Sequence, residues 1–170
     1  MSAVDFYAHV ATRCDVLGAG IGVGPDGWEA AAGADFLDVP DQGLLRRDHG
    51  LVEAGFAPDE RGRMSCFGFG VKIHRLLHDQ SPNTVPSPLL RTYGVFAPRV
   101  PYAELRDAVL ALGHALEVDD ASGDIHRYRV PGSVARVHVI ADPDPYGSGD
   151  PDPDGHQMGD VWSIDVWPAR

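Results

Sequence analysis

The sequence predicts a single α+β domain over residues 1–170, in which one or two helices cover a mainly antiparallel sheet. Large apolar residues alternate with polar or small ones between positions 64 and 77, which is the pattern of a half-buried strand. Two other segments repeat apolar residues at spacings of three and four, which is the pattern of an amphipathic helix. With 170 residues, 44% hydrophobic and 23% charged, the chain has the composition of one ordinary globular domain.

The first element is predicted to be a helix over residues 2–17. Ser2 is a candidate N-cap, and Asp5, three positions later, completes a weak capping box. The apolar stripe of this helix is Ala3, Phe6, Val10, Cys14 and Leu17. Glycines recur over residues 18–27 and indicate a flexible turn, because a phosphate-binding loop would follow a strand rather than a helix. Residues 34–39 are consistent with a short strand ending at Pro40, and residues 41–47 with a short helical turn.

The centre of the predicted sheet is a hairpin of two strands, residues 51–56 and 64–77. The connection between them, residues 57–63, contains the Pro, Asp and Gly of a turn. The apolar face of the second strand is predicted to carry Phe67, Phe69, Val71, Ile73 and Leu77. Residues 79–88 are rich in Pro and Ser and are predicted to form a surface loop, whereas residues 89–96 are apolar but too short to assign.

The second half of the chain is predicted to contain one helix and three strands. A helix over residues 101–117 begins at a proline, which suits the first turn, and covers the sheet with one apolar stripe. That stripe is Leu105, Ala108, Val109, Leu112 and Leu116. Residues 125–130 and 134–140 flank a three-residue turn and predict an antiparallel hairpin. Residues 161–167 alternate Trp162, Ile164 and Val166 with polar residues, which predicts a closing strand.

Charge and hydropathy limit the partners of this protein. The formal net charge of −11 argues against binding of nucleic acid, because phosphates are recognised by basic surfaces, and favours a basic protein partner. No apolar run approaches the roughly 20 residues of a membrane helix, so no membrane partner is expected. The N-terminus lacks a basic segment followed by an apolar one, and we therefore expect a cytoplasmic protein.

The most distinctive polar segment is residues 142–160, with the sequence DPDPYGSGDPDPDGHQMGD. Lys and Arg are absent between Arg136 and Arg170, which indicates a strong negative field and a solvated acidic loop between two strands. Asp150, Asp152 and Asp154 also match the first half of a calcium-binding loop. The twelfth position of that loop is Val161 instead of Glu, and the flanking segments are strands instead of helices. Calcium therefore stays an alternative, and the first prediction is that no cofactor is bound.

Other residues that could carry chemistry show no assembled catalytic group. His74 and His78 lie four apart in a predicted strand, where the side chains would be about 13 Å distant, so a zinc site is not expected. His126 and His138 could face each other across the later hairpin, but a pair alone does not complete a zinc site. Cys66 lies among apolar residues and, like Cys14, is predicted to be a reduced structural thiol. We therefore expect a protein that is not an enzyme.

The central hairpin carries a resemblance to known proteins. The segments LLRRDHGLVE at residues 44–53 and CFGFGVKIHRL at residues 66–76 resemble a pattern in small proteins of GC-rich bacteria. Some of those proteins are similar to the immunity proteins of polymorphic toxin systems. The resemblance implies an inhibitor that occludes a toxin and brings no catalytic residues with it. His49 stands where an aromatic residue such as Tyr would be expected.

The sequence therefore leads to a non-enzymatic protein-binding module, an immunity-type inhibitor of a bacterial toxin, as the first hypothesis. An acidic surface would be steered quickly to a basic toxin domain and could cover its active cleft. The predicted partner-binding residues are Asp142, Asp144, Tyr146, Asp150, Asp152, Asp154 and Trp28. The alternatives are a calcium-binding or metal-dependent protein that uses Asp150, Asp152 and Asp154, and a structural domain that presents a sheet edge.

Overall fold

The computed structural model describes residues 1–79, 81–147, 149 and 152–168. The helices of these residues are α1 (Ala3–Arg13), α2 (Pro25–Ala32), α3 (Arg75–His78), α4 (Ser87–Tyr93) and α5 (Tyr102–Ala111). The strands are β1 (Asp15–Val16), β2 (Ala19–Gly20), β3 (Leu37–Asp41), β4 (Leu44–Asp48), β5 (Val52–Pro58), β6 (Met64–Val71), β7 (Glu117–Asp120), β8 (Ile125–Arg129), β9 (Ala135–Ile140) and β10 (Val161–Val166). Among the described residues, none of the helices has the length and apolar character that a bilayer crossing requires.

Eight of the strands form one antiparallel sheet in the order β3-β4-β5-β6-β10-β9-β8-β7. The strands β3 to β6 follow one another as a meander, and β7 to β10 form a second meander. The two meanders join where β6 pairs with β10, so the closing strand lies in the middle of the sheet. This arrangement confirms the prediction of a single α+β domain with a mainly antiparallel sheet.

The helices pack on one face of the sheet, which we call the helix face. Trp28 of α2 contacts the rings of Phe56 and Phe69, and Tyr102 of α5 stacks on Tyr128 with ring centroids 4.4 Å apart. The strands contribute to this core Val52, Ala54, Phe56, Phe69, Val71, Ala135, Val137, Ile164 and Val166. The opposite face carries mainly charged side chains and glycines, and we call it the polar face. Residues paired across the sheet share a face, which makes the assignment a direct consequence of the register.

The two predicted helices are present but shorter than expected. Helix α1 has the predicted capping box, in which the Ser2 hydroxyl accepts from the Asp5 N–H and the Asp5 carboxylate accepts from the Ser2 N–H. It ends at Arg13 because Cys14 adopts a left-handed conformation with φ of 60°. Helix α5 ends at Ala111, and Leu112 beyond it is 54% exposed. The apolar stripes therefore identified the elements without fixing their ends.

Four local predictions in the first half of the chain are wrong. Residues 41–47 form a tight turn and strand β4 in place of a helical turn, and strand β3 continues through Pro40 because it lies at the edge of the sheet. Strand β6 ends at Val71, and residues 75–78 are helical. Phe67 lies on the polar face, because a bulge in the β5–β6 pairing inserts it as an extra residue between Cys66 and Gly68.

Two further differences lie in the second half. Strand β7 at the other edge of the sheet was not predicted, since its sequence, EVDD, has a single apolar residue. His126 and His138 do not face each other, because His138 pairs with Arg127 and His126 pairs with Val139. The late hairpin itself and the closing strand are confirmed.

Candidate functional site

The acidic loop, residues 142–160, is fixed to the sheet at both ends. The N–H of Ile140 donates to the carbonyl of Asp160 at 2.9 Å, and the N–H of Gly159 donates to the carbonyl of Ile140 at 2.7 Å. The N–H of Asp142 donates to the carbonyl of Asp124 at 3.0 Å. These bonds hold the two ends of the loop side by side at the end of the β9–β10 pair. The loop therefore starts and finishes on a rigid base.

Within the loop, aspartates stabilise local turns and still face solvent. The Asp142 carboxylate accepts from the N–H of Asp144 at 2.9 Å, and the Asp152 carboxylate accepts from the N–H of Asp154 at 3.0 Å. Asp142, Asp152 and Asp154 are exposed, whereas Asp144 is half-buried. The ring of Tyr146 is 94% exposed. Asp150 lies outside the described residues.

Trp28, the other predicted contact residue, cannot touch a partner. It is fully buried beneath the helix face, with its ring 5.1 Å from that of Phe69 and stacked near His49. The sequence left the secondary structure of residues 28–39 ambiguous. In the structure, Trp28 lies on the buried side of helix α2. The prediction of Trp28 as a partner-binding anchor is therefore wrong.

Asp160 is a site residue that the sequence did not single out. Its side chain is 4% exposed and accepts from Arg99 through both oxygens, at 2.7 and 3.1 Å. One of those oxygens also accepts from the N–H of Gln157 at 2.9 Å. The carboxylate thus connects the end of the acidic loop to the segment before helix α5. It is a structural anchor, whereas the side chains of Asp142, Asp152 and Asp154 are exposed.

We expect Asp160→Asn to lower the free energy of unfolding by about 2 kcal/mol, because it removes the charge from a buried carboxylate that accepts two hydrogen bonds from Arg99. The matched control is Asp154→Asn, an exposed change in the same loop, for which we expect less than about 0.5 kcal/mol. Urea denaturation of both variants measures the difference. Equal midpoints for the two variants would show that Asp160 does not anchor the loop.

The calcium alternative stays a prediction, since Asp150 is one of its three proposed ligands and lies outside the described residues. Among the residues that the structure describes, no group of three or more His, Cys, Asp or Glu side chains is placed to hold a metal ion. The carboxylates of Asp152 and Asp142 accept backbone N–H groups of their own turns. Thermal melts in millimolar calcium and in chelator test this alternative, because a bound ion would raise the melting temperature.

A histidine cluster lies beside the last part of the acidic loop. His74 stacks on Trp162 with ring centroids 4.3 Å apart, His156 contacts the same indole at 5.0 Å, and His78 lies 5.5 Å from His156. Strand β6 ends at Val71, and the helical turn α3 places His78 beside His156. The prediction that His74 and His78 lie four apart on one extended strand is therefore wrong. Burial lowers the pKa of His74 and of His156, and we infer that both rings are neutral and act as packing groups at pH 7.

Ion pairs between carboxylates and basic side chains extend across the polar face. Glu53 of β5 accepts from Arg75 at 2.8 Å and lies 3.7 Å from Arg46 of β4, and Lys72 donates to Asp165 of β10 at 3.3 Å. Asp119 of β7 pairs with both Arg127 of β8 and Arg136 of β9. Each of these carboxylates therefore has at least one cationic partner on the polar face.

Ser163, His138 and Asp165 meet on the polar face without forming a catalytic triad. The Ser163 hydroxyl and the Asp165 carboxylate both approach the same ring nitrogen of His138, at 3.3 and 3.2 Å. In a triad the hydroxyl and the carboxylate occupy opposite nitrogens, so that the base can take the hydroxyl proton. Ser163 is also 3% exposed. Burial raises the pKa of Asp165, but the hydrogen bond from His138 and the Lys72 charge outweigh it and hold the pKa below its usual range.

The two cysteines are free and show no sign of activation. Burial raises the pKa of the Cys66 thiol to about 11, against which its contacts with Gly68 and Trp28 act more weakly. A thiol with a raised pKa is protonated at pH 7 and is a poor nucleophile. Cys14 is half-buried, and its sulfur lies 3.2 Å from the hydroxyl of Ser133. Both residues fit the structural role that the sequence predicted.

The sequence pointed to the acidic loop but not to Asp160 or the polar-face network. The alternation of Ser163 and Asp165 in the last strand was a visible signal of a polar face. Its partners, among them Lys72 and His138, come from distant parts of the chain and could be connected only once the strand order was known. Comparisons of the chain with protein-family models, with curated proteins and with solved structures find no match.

Proposed function

We propose that this protein is a non-enzymatic protein-binding module, an immunity-type inhibitor that occludes a basic bacterial toxin domain with its acidic loop. The observation that carries the proposal is the form of that loop. Its base is hydrogen-bonded to the sheet, and the carboxylates of Asp142, Asp152 and Asp154 are exposed. A surface that is organised before binding loses less conformational entropy when a partner docks.

Electrostatics support a basic partner for this loop. Within the described part of the chain, Asp142, Asp152 and Asp154 have no ion pair, whereas the carboxylates of the polar face are paired with arginine or lysine. The charges of these three carboxylates are therefore not neutralised by any arginine or lysine of the described residues. Together with the net charge of −11, they would steer a basic domain to this end of the molecule and accelerate association.

The loop also offers apolar groups of the kind that make strong contacts. Tyr146 is 94% exposed and Met158 is 74% exposed, and both lie within the acidic segment. Tyrosine is enriched among the residues that contribute most to protein interfaces, and methionine is common at adaptable binding surfaces. We assign Tyr146 as the central contact of the interface and the aspartates as its charged rim.

The test is binding to the protein encoded next to this one, measured by titration calorimetry. We expect nanomolar or tighter affinity, and a loss of about tenfold or more for the triple variant Asp142→Asn, Asp152→Asn, Asp154→Asn. Asparagine can still accept the turn hydrogen bonds, so the loop conformation is preserved. Raising the salt concentration should weaken the unsubstituted protein more than the triple variant, because screening acts on the charges that the variant lacks.

A control with the same change in net charge separates the loop from the overall field. The exposed acids Glu29, Asp35 and Glu60 lie outside the loop, and their change to Gln, Asn and Gln removes three charges elsewhere. We expect this control to lose less than about threefold in affinity, because salt screens charges that lie far from the interface. Equal losses in the two triple variants, or no binding by the neighbouring protein at all, would contradict the proposal.

A further inference from the structure

A groove of about 450 Å³ crosses the polar face between the β3–β4 hairpin and the end of β10. On one side it is lined by Val39 and Leu44, and on the other by Phe67 and Trp167. Leu44 is 47% exposed and Trp167 is 49% exposed, so both walls are open to solvent. The volume falls in the range of sites that hold small molecules, roughly 300–1,000 Å³.

The aromatic wall exists because two glycines lie beneath it. Gly55 and Gly68 are directly paired on β5 and β6. A Cβ atom on Gly68 would lie 2.4 Å from the Trp167 ring, and one on Gly55 would lie 2.7 Å from the Phe67 ring. Both rings therefore rest on bare backbone, with their centroids 5.6 Å apart. Glycine inside a strand weakens it, and here the space seats two aromatic rings that are tilted by 44° to each other.

The polar end of the groove contains two hydrogen-bond donors, Arg46 and Lys72, and one acceptor, Glu53. The Glu53 carboxylate is engaged by Arg75 at 2.8 Å. Arg46, whose side chain is 57% exposed, has within the described residues a single long contact of 3.7 Å to Glu53. The Lys72 ammonium lies across Gly70 and, among the described residues, makes one hydrogen bond, of 3.3 Å, to Asp165. A guanidinium has five N–H donors and an ammonium three, so most of these donors are open to a ligand.

We propose that this groove binds a small carboxylate with a flat apolar body. The carboxylate accepts hydrogen bonds from Arg46 and Lys72, and the flat body stacks on the ring of Trp167 beside Phe67. Charge-assisted bonds from arginine and lysine are the strong type of hydrogen bond to a carboxylate. The site goes beyond the proposed toxin inhibition and lies on a different surface from the acidic loop.

The overall negative charge of the protein opposes the binding of a carboxylate in this groove. A protein of net charge −11 repels anions at long range, so any preference for a carboxylate must come from the local cations. Asp41, at the outer rim of the groove, would attract a cationic ligand instead. The sign of the preferred ligand therefore distinguishes the inner donors from the outer carboxylate.

The experiment compares three probes of nearly equal shape, namely naphthalene-2-carboxylate, 2-naphthalenemethanol and 2-naphthylmethylammonium. Binding to the full chain is followed by NMR through the indole N–H signal of Trp167, assigned with Trp167→Phe. We expect the carboxylate to bind about tenfold more tightly than the alcohol, and the ammonium compound more weakly than either. Arg46→Gln should reduce carboxylate affinity to that of the alcohol and leave the affinity for the alcohol unchanged.

Arg129→Gln is the matched control, because Arg129 is a half-exposed arginine of the polar face that does not line the groove. We expect its affinity for the carboxylate to stay within about twofold of that of the unsubstituted protein, because substitutions at distant sites act independently. Trp167→Leu should weaken all three probes alike, since it removes the ring on which the flat body stacks. Tighter binding of the ammonium probe, no shift of the indole signal at millimolar carboxylate, or equal losses in the two arginine variants would overturn the proposal.

Discussion

Gly50→Ala is expected to lower the free energy of unfolding by about 3 kcal/mol or more. Gly50 has a φ of +88°, a conformation that side chains with a Cβ rarely adopt. A Cβ atom there would lie 2.3 Å from the carbonyl oxygen of Thr84, and the neighbouring Leu51 N–H donates to that same oxygen. The added atom therefore meets backbone that cannot move without breaking a hydrogen bond. Urea denaturation measures the loss.

Gly43→Ala separates the steric contact from the backbone strain. Gly43 has nearly the same backbone conformation, with a φ of +84°, but an added Cβ would meet nothing within 4 Å. We expect this variant to lose only the strain of the left-handed region, about 1 kcal/mol. Similar losses for the two variants would show that the contact between Gly50 and Thr84 does not constrain the turn.

The second large effect is expected at His49, where folding should become less favourable as the pH falls from about 6.5 to about 4. His49 is 2% exposed, lies beside Trp28 and Phe36, and neither of its ring nitrogens has a partner among the described residues. Burial, reinforced by the Arg47 charge, lowers its pKa from 6.5 to about 4, against the weaker pull of nearby carboxylates. The neutral ring is the form that fits the core.

The direction of the pH effect follows from proton binding. Between the two pKa values, the unfolded chain binds a proton at this histidine and the folded protein does not, so acid favours unfolding. The contribution is complete above pH 6.5 and is lost as the pH falls towards 4. A difference of about 2.5 pKa units corresponds to about 3 kcal/mol. His49→Phe keeps an aromatic ring in the site and removes the titrating group.

The measurement compares urea midpoints at pH 7 and pH 4.5. The unsubstituted protein should lose about 2–3 kcal/mol more than His49→Phe over this interval, since the carboxylates titrate in both proteins. His114→Gln, a change at an exposed histidine, serves as the control and should behave like the unsubstituted protein. A parallel loss in His49→Phe and the unsubstituted protein would mean that His49 is not the source of acid sensitivity.

The surroundings of His49 show why this position, where an aromatic residue such as Tyr was expected, can also hold a histidine. The imidazole stacks near the indole of Trp28 and lies edge-on to Phe36, while the Arg47 guanidinium is 3.7 Å from the Phe36 centroid. Arg47 itself is 5% exposed and is bound by Asp38 and by the carbonyl of Pro25. The position thus takes a flat ring as part of the core.

Much of the fold could be predicted because its signals are local. The capping box of Ser2 and Asp5 and the alternation in strands β6 and β10 depend on residues within a few positions of each other. The errors occur where a distant partner decides the outcome. Pro40 lies within a strand because that strand is an edge, and Phe67 changes face because of a bulge against β5.

The candidate sites divide in the same way. The acidic loop could be predicted because its charge is continuous along the chain, and its exposed aspartates lie where the sequence indicated. Trp28 could not be placed, because an aromatic residue suits a core as well as an interface. The groove between Leu44 and Trp167 is built from segments more than a hundred residues apart, and no local pattern connects them.

The sequence by itself determined the class of fold, the acidity of the protein and the position of its most charged loop, because composition and hydrophobic period act on neighbouring residues. The tertiary structure alone decided which residues outside the exposed part of that loop are buried and which distant side chains meet. In the folded protein, Trp28 and Asp160 are buried, Lys72 pairs with Asp165, and the Trp167 ring packs against Gly68. The physical reason is the pairing of β6 with β10, which joins two meanders and brings into contact side chains that the chain itself keeps far apart.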